Sequence, residues 1–461
     1  MSINSKNINN IFYIFVIAHL IFWTLIPSLT NHNLPLDTIE ALAWGSNLDW
    51  GFSKHPPFSA FLVNLVYFVF GSNDWAYYLL SQICLIISFL FIWELSKDFF
   101  SNRIYSLLSI LILEAIVFFN YTTPEFNVYV GQLPLKAGFV YFFWQSLNTK
   151  KLIFWMLTGI TGALGVLTHY SFVFIILSLF VYFILFIKKD KKKIIYFLVS
   201  LSCFIIILIP HLHWLLENNF QTINYAFNRT GIENKNLFNH LLNPTLFILK
   251  QIGILSLFFA VLFLIISIRK IKKIKFYTHE NKKLFLLGVN LLPLVLVFFV
   301  SLISGAKIRT MWMSTFYLFF GLLFFYYLKN IVNLNKVKKF FFIICFLFFL
   351  SPITYLYVSI SNDYKRTDFP GKEIARLVQN KWEDNFVNEI KIVVGDEWSA
   401  GNLSYHLYSR PIWMNDLKNN ASNIKNNQGV IYTGNPKVLK KICPGVFGTI
   451  KPYGYCMIGR R

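Results

Sequence analysis

Eleven separated runs of mostly apolar residues constrain this chain more than any other feature. They lie near 11–29, 75–96, 104–120, 131–147, 152–168, 170–187, 194–211, 245–268, 284–303, 312–328 and 340–360. Each approaches the ~20 residues an α-helix needs to cross a hydrocarbon layer about 30 Å thick. Composition agrees. Only 14% of the 461 residues are charged, 56% are hydrophobic, and the mean hydropathy is +0.53. A soluble domain carries about 25% charged residues, so a soluble enzyme of this size is excluded. The expected fold is a polytopic α-helical membrane protein of about 11 spans. No small-x-small cleavage site follows the first run, which reads as an uncleaved anchor. A twelfth stretch, Phe58–Phe70, has 13 residues. That is short for a span and fits an interfacial or re-entrant helix.

The formal charge of +22 would suggest nucleic acid in a soluble protein. Here it follows topology. Basic clusters fall at Lys150/Lys151, 188–193, 269–275, Lys282/Lys283 and Lys336/Lys338/Lys339. With Phe58–Phe70 non-spanning and the N-terminus inside, all of them share one side. Before residue 361 that side holds 21 Lys and Arg, against 7 elsewhere. Such an asymmetry marks the cytoplasmic face, so no nucleic-acid partner is expected. The other face receives a first loop near 30–74, shorter loops at 121–130 and 304–311, a loop at 212–244, and the tail from 361. The chain divides into a transmembrane domain, 1–360, and an external α/β domain, 361–461. In the tail, EIKIVVGD (389–396) and GVIYTG (429–434) read as strands and KEIARLVQNKWED (372–384) as an amphipathic helix. Cys443 and Cys456 lie there and can pair if that face is oxidising.

Few polar residues on the external face could carry chemistry. In LPLDTIEALAWGSNLDWGFSKHPPFSAFL (34–62), Asp37 and Glu40 would share one face of a helix starting near Leu36. They suit a general base or a divalent metal, or else an N-cap with its box partner. Lys54 and His55 precede a Pro pair and suit a lipid phosphate, or are interfacial residues at a helix start. Glu125 sits in TTPEFN, pinned between two spans, where it is either functional or a solvated turn residue. His169 and Tyr170 cap a span's outer end and read equally as structural residues. Glu217, Asn218, Tyr225 and Arg229 alternate with aromatics, as in a sugar or headgroup site or an amphipathic surface helix. Lys307 and Arg309 place two cations in a tight loop, as phosphate partners or a snorkelling pair. No Walker loop, GxGxxG, HExxH or CxxC pair is present in the sequence.

The segment LPLDTIEALAWG…WGFSKHPPFSAFL resembles the first-loop signature of glycosyltransferase family 39. This is the protein-mannosyltransferase-like branch of the GT-C superfamily, which includes the lipid A aminoarabinose transferases. TTPEFN with LPLKAGFVYFFW, GALGVLTHYSF, PHLHWLLENNFQTINYAFNR, SGAKIRTMW and the tail segments DFPGKEIARLVQNKW and VVGDEWSAGNLSYHLYSRP extend the resemblance along nearly the whole chain. It implies a GT-C-like transferase of the bacterial inner membrane. Such an enzyme takes a sugar from an undecaprenyl-phosphate-type donor to a lipid or glycan acceptor on the periplasmic face, with inversion. Asp37 matches the essential first-loop acid, and Glu40 follows in the same motif. Lys54 and His55 match the pre-proline basic position, and Glu125 matches the second acidic loop. Many relatives carry adjacent acids in the first loop, whereas these are three apart, and a Lys-Tyr pair is His169-Tyr170 here. A metal at Asp37 and Glu40 therefore stays open, as do protein O-mannosylation and a lipid-linked-sugar flippase.

Overall fold

The computed structural model describes residues 5–186, 190–232, 236–267, 280–415 and 428–461. Glu233, Lys235, the run at 269–275 and the first two lysines of 188–193 lie outside the described residues. The chain forms α1 (Ser5–Thr30), α2 (Leu36–Gly45), α3 (Phe58–Phe70), α4 (Asp74–Phe99), α5 (Arg103–Leu111), α6 (Val128–Asn148), α7 (Leu152–Thr168), α8 (Val173–Phe186), α9 (Lys191–Glu217) and α10 (Gln221–Thr230). It continues through α11 (Asn239–Ile265), α12 (Asn281–Ser304), α13 (Phe320–Leu328) and α14 (Val337–Ser361) into the tail.

Among the described residues, six helices are long and apolar enough to cross a bilayer: α1, α4, α9, α11, α12 and α14, the last counted from Leu334. A seventh results if Thr310–Tyr317 and α13, bent 51° from each other, form one span. The other expected spans are interrupted, short or, for α6, too polar. The run at 104–120 is a nine-residue helix followed by two 3-10 turns. Its Glu114 turns inward to His19 of α1, Oε1 to Nε2 3.2 Å, an interaction that hydropathy alone does not reveal. The helix α7 has 17 residues, and α6 carries Gln132, Pro134 and Lys136. Phe58–Phe70 is helical, and its 13 residues rise only about 20 Å. Its Ser59, Ala60 and Val63 are buried while Leu65, Phe68 and Val69 are exposed.

The apolar core runs through the bundle. The helix α1 packs on α4, α4 on α6, α6 on α7 and α7 on α9, while α8 and α11 both pack on α12. The α7–α9 contact needs a glycine. A Cβ at Gly159 would stand 2.1 Å from the carbonyl oxygen of Ser200, so the backbones approach as closely as only small residues permit.

Polar contacts gather at two poles. At one, Trp144 Nε1 and Gln145 Nε2 donate to Asp98 Oδ2 at 3.1 and 2.8 Å, and Tyr105 donates to the Lys329 carbonyl at 3.1 Å. Lys97, Arg103, Lys282 and Lys283 cluster with these helix ends. At the other pole, Asn31 Nδ2 donates to Tyr78 and Tyr355 at 3.0 and 2.9 Å and Ser359 donates to Asn31 Oδ1 at 2.8 Å. These bonds tie together the ends of α1 and α14 and the start of α4, beside the tail.

The tail holds α15 (Gly371–Glu383), β1 (Ile390–Val394), α16 (Ser399–His406), β2 (Ile412–Met414), β3 (Gly429–Gly434), α17 (Pro436–Ile442), β4 (Val446–Ile450) and β5 (Tyr453–Ile458). The sheet order is β2-β1-β3-β5-β4, parallel at β2-β1-β3 and antiparallel at β3-β5-β4. Cys443, just past α17, is disulfide-bonded to Cys456 of β5, with 5.5 Å between their Cα atoms. The tail does not close its core alone. Ile374, Val378, Trp382, Val393, Leu403 and Ile431 share one hydrophobic cluster with Ala43 and Trp44 of α2, Phe52 and Ala60. The first loop is thus the floor of the tail domain.

Candidate active site

The helix α2 begins after Pro35, whose extended ψ of 164° turns the chain into it. No side chain caps it, so Asp37 is not an N-cap. Thr38, Ile39, Ala41, Leu42, Ala43 and Trp44 are buried. That burial leaves Leu36, Asp37 and Glu40 as the partly exposed residues of α2, the two acids one turn apart. The loop at 121–127 lies against this first turn. Thr38 Oγ1 donates to the Phe126 carbonyl at 3.0 Å, and the Asp37 N–H donates to Glu125 Oε1 at 3.1 Å. The two acids predicted from separate loops are therefore brought together.

Their electrostatics follow from that meeting. Asp37 lies deep among protein atoms, with part of its surface exposed. Burial, then the Glu125 charge, push its carboxyl up to about 7. Lys54, Arg229 and Arg366 oppose the shift without cancelling it. Burial also raises Glu125. Such a pair holds a proton readily near neutrality.

Glu40 has a different partner. Lys54 Nζ stands 2.7 Å from Glu40 Oε1 and 3.2 Å from Glu397 Oε1 of the tail. Burial raises the Glu40 carboxyl despite Lys54, whereas the two carboxylates outweigh burial and raise Lys54. At 2.7 Å the bond is charge-assisted, so we treat both partners as ionised. Lys54 therefore clamps the tail to α2, its charge already balanced by two acids. Glu40, held by Lys54, is poorly placed to share a metal with Asp37. Among the described residues no group of three His, Cys, Asp or Glu side chains assembles a metal site.

His55 and His169 meet with ring centroids 5.5 Å apart, between Trp44, Tyr129 and Tyr225. Burial holds His55 well below the usual imidazole range and lowers His169 to about 4. Both are neutral at pH 7, so they offer hydrogen bonds and ring faces, and no cation for a phosphate. Tyr170 bonds His211 Nε2 at 2.8 Å, and His211 Nδ1 lies 2.6 Å from the Trp50 carbonyl. A carbonyl only accepts, so Nδ1 carries the proton and Nε2 accepts from the tyrosine. Trp214 Nε1 donates to Asp49 Oδ2 at 2.8 Å, and Thr222 Oγ1 to the Phe52 carbonyl at 3.1 Å. The ends of α9 and α10 thereby fix the loop that carries Lys54 and His55.

The loop at 305–309 joins the same rim. The Lys307 N–H donates to the Thr230 carbonyl at 2.9 Å, beside Arg229. Arg229 and Arg309 both act electrostatically on Tyr129. Neither arginine pairs with an acid among the described residues. Glu217 and Asn218 fall outside this cluster. Glu217 is exposed and lies 3.4 Å from the equally exposed His213, and Asn218 Nδ2 donates back to the Trp214 carbonyl at 2.9 Å.

Several residues of the site escaped sequence reasoning. Arg366 and Glu397 act from the tail, more than 300 residues from Asp37. Gln132 bonds the His169 carbonyl at 2.9 Å and approaches Ser171 and Thr315. Lys136, one turn further, is buried over the Phe316 ring at 3.7 Å. An ionisable residue inside an apolar run is itself a functional signal, and Lys136 carried it.

Residues 54–214 match the family model described as dolichyl-phosphate-mannose-protein mannosyltransferase. No curated protein matches the sequence significantly. Among solved structures, ArnT from Cupriavidus metallidurans bound to undecaprenyl phosphate superposes with a TM-score of 0.66. It is 11% identical, and the match covers 96% of this chain and 97% of that one. The apo form of ArnT from the same organism gives 0.52 at 11% identity, covering 97% and 98%. In fold, and over residues 54–214, the chain resembles the protein-mannosyltransferase-like branch of the GT-C superfamily of membrane glycosyltransferases.

Proposed function

We propose that this chain transfers a sugar from a polyprenyl-phosphate donor to a lipid A-like or other envelope acceptor, on the face that carries the tail. That face is the periplasmic side of a bacterial inner membrane, with the N-terminus in the cytoplasm. The observation that carries this reading is the Asp37–Glu125 pair, set beside the unpaired arginines of the α10 and 305–309 rim. Asp37, near 7, takes the proton of the acceptor hydroxyl as that oxygen attacks the anomeric carbon. The bond from that carbon to the donor phosphate oxygen breaks, and the electron pair leaves with the polyprenyl phosphate. Arg229, Lys307 and Arg309 stabilise the departing negative charge. A single direct displacement inverts the anomeric centre. The neutral His55 and His169, with Trp44 and Tyr225, present faces on which a sugar ring can stack. The description of the matched family model favours a second reading, in which the acceptor is a protein hydroxyl.

The test is mass analysis of lipid A, surface glycans and secreted glycoproteins with wild-type protein and with Asp37→Asn. Loss of one sugar unit in the variant supports transfer, and the fraction that loses it identifies the acceptor. Unchanged glycans would overturn the reading, and a lipid-linked precursor trapped on the inner leaflet would point to a flippase.

A further inference from the structure

One acid inside the bundle takes no part in the transfer chemistry. Glu114 lies in an apolar run with only 3% of its surface exposed. A carboxyl group is costly to bury there, and such a residue signals a role.

Its surroundings supply one. The helix α5 ends at Leu111 and gives way to 3-10 turns at Ile112–Ala115 and Val117–Phe119. A buried break of this kind leaves carbonyls that need donors from side chains. His19 Nε2 lies 3.1 Å from the Phe119 carbonyl. A carbonyl only accepts, so this nitrogen carries the ring proton. Asn120 Nδ2 donates to the Glu114 carbonyl at 2.7 Å. The Glu114 carboxylate stands between the two donors, with Oε1 3.2 Å from His19 Nε2 and Oε2 3.4 Å from Asn120 Nδ2. It thus joins a residue of α1 to the start of the outer loop.

From Asn120 the contacts run on toward Glu125. Thr123 donates twice to the Asn120 carbonyl, from Oγ1 at 2.6 Å and from its N–H at 2.9 Å. Gln82 Nε2 of α4 donates to Thr123 Oγ1 at 3.1 Å. His19, Gln82, Asn120 and Thr123 are all buried. Two residues beyond Thr123, Glu125 Oε1 accepts the Asp37 N–H at 3.1 Å. Buried hydrogen bonds linked in this way constrain one another.

We infer that Glu114 is a positioning residue for Glu125. By joining His19 to Asn120 it sets the conformation of the loop at 120–127, and so keeps Glu125 against Asp37. This rests on the glycosyltransferase reading for the use made of Glu125, while the coupling itself can be measured without any transfer.

The experiment is hydrogen–deuterium exchange, read by mass spectrometry, on the full chain in phosphatidylcholine nanodiscs. Glu114→Leu should speed exchange about tenfold or more in peptides covering 119–127 and Asp37, with α1 and α4 as protected as in the wild type. Asn120→Ala breaks the same link from the loop side and should give the same pattern, so the test stands even if Glu114→Leu fails to insert. Combining the two should add no more than about a factor of two. In a transfer assay, either variant should lower kcat with the donor KM unchanged, and should cause no further loss in a Glu125→Gln background. Unchanged exchange at 119–127, or equal loosening of the whole bundle, would overturn the inference. So would a further loss of kcat in the Glu125→Gln background. The expected exchange pattern in a protein that transfers nothing would leave the coupling standing and reject the catalytic reading alone.

Discussion

Asp37 carries two consequences that belong to single residues. Its replacement by Asn removes the proposed base but keeps the shape, so transfer should fall by about 10²–10⁴-fold with membrane insertion unchanged. The carboxyl is raised to about 7, so its ionised form, the one that accepts a proton, is scarce below that pH. The rate should therefore climb as pH rises toward 7 and level off above it. Glu125→Gln still accepts the Asp37 N–H but no longer repels its charge, so the rising limb of a kcat–pH profile should move to lower pH. A limb that stays in place would show that Glu125 does not set the protonation of Asp37. At the rim, Arg229→Ala and Arg309→Ala each remove a charge-assisted contact and should raise the donor KM about tenfold or more. The sequence already pointed to Asp37, Glu125 and the rim cations. It could not show that Lys54 is neutralised by Glu397 or that both histidines are uncharged, since both outcomes depend on chain segments distant in sequence.

At the scale of elements, α2 is held by contacts on several sides. Arg410 Nη2 donates to the Leu42 carbonyl at 2.6 Å, Trp413 N–H to Ser46 Oγ at 2.8 Å, and Asn33 Nδ2 to Asn402 Oδ1 at 2.8 Å. Gly401 of α16 packs directly on α2, where a Cβ would meet Ala43 and Ile39 at 3.1 Å. Gly401→Val should lift α16 from α2 and cost activity without touching a reacting group; a thermal melt and an assay on the same sample would check this. Lys54→Met leaves Glu40 and Glu397 without their cation, which should cost about 1–3 kcal/mol and loosen the tail in limited proteolysis. Helix positions were legible because period and apolar runs are local properties. The breaks after α5 and before α13 were not, because a single inward-facing polar group such as Glu114 leaves the average of an otherwise apolar run high. In the tail, β1, β3 and α15 were visible as continuous patterns, while the three-residue β2 and the strands β4 and β5, interrupted by Gly and Thr, were not.

For the whole molecule, the Cys443–Cys456 bond closes a short loop between α17 and β5. A closed loop of that size constrains the unfolded tail by about 3 kcal/mol. Replacing both residues by Ser should let the tail melt at lower temperature while the bundle stays inserted, as tryptophan fluorescence and protease protection would report. The last strand matters as much as the first loop. Tyr455 and Met457 lie in the cluster that also holds Trp44, and the Val387 N–H donates to the Arg460 carbonyl at 2.9 Å. Asp37 lies in the first loop, but the wall that supports its helix comes from the far end of the tail. Spanning helices can therefore enter the membrane one after another before α2 gains its cover. A chain stopped by a nonsense codon within the tail would sit in the bilayer with Ala43 and Trp44 stripped of the strands and helices that bury them.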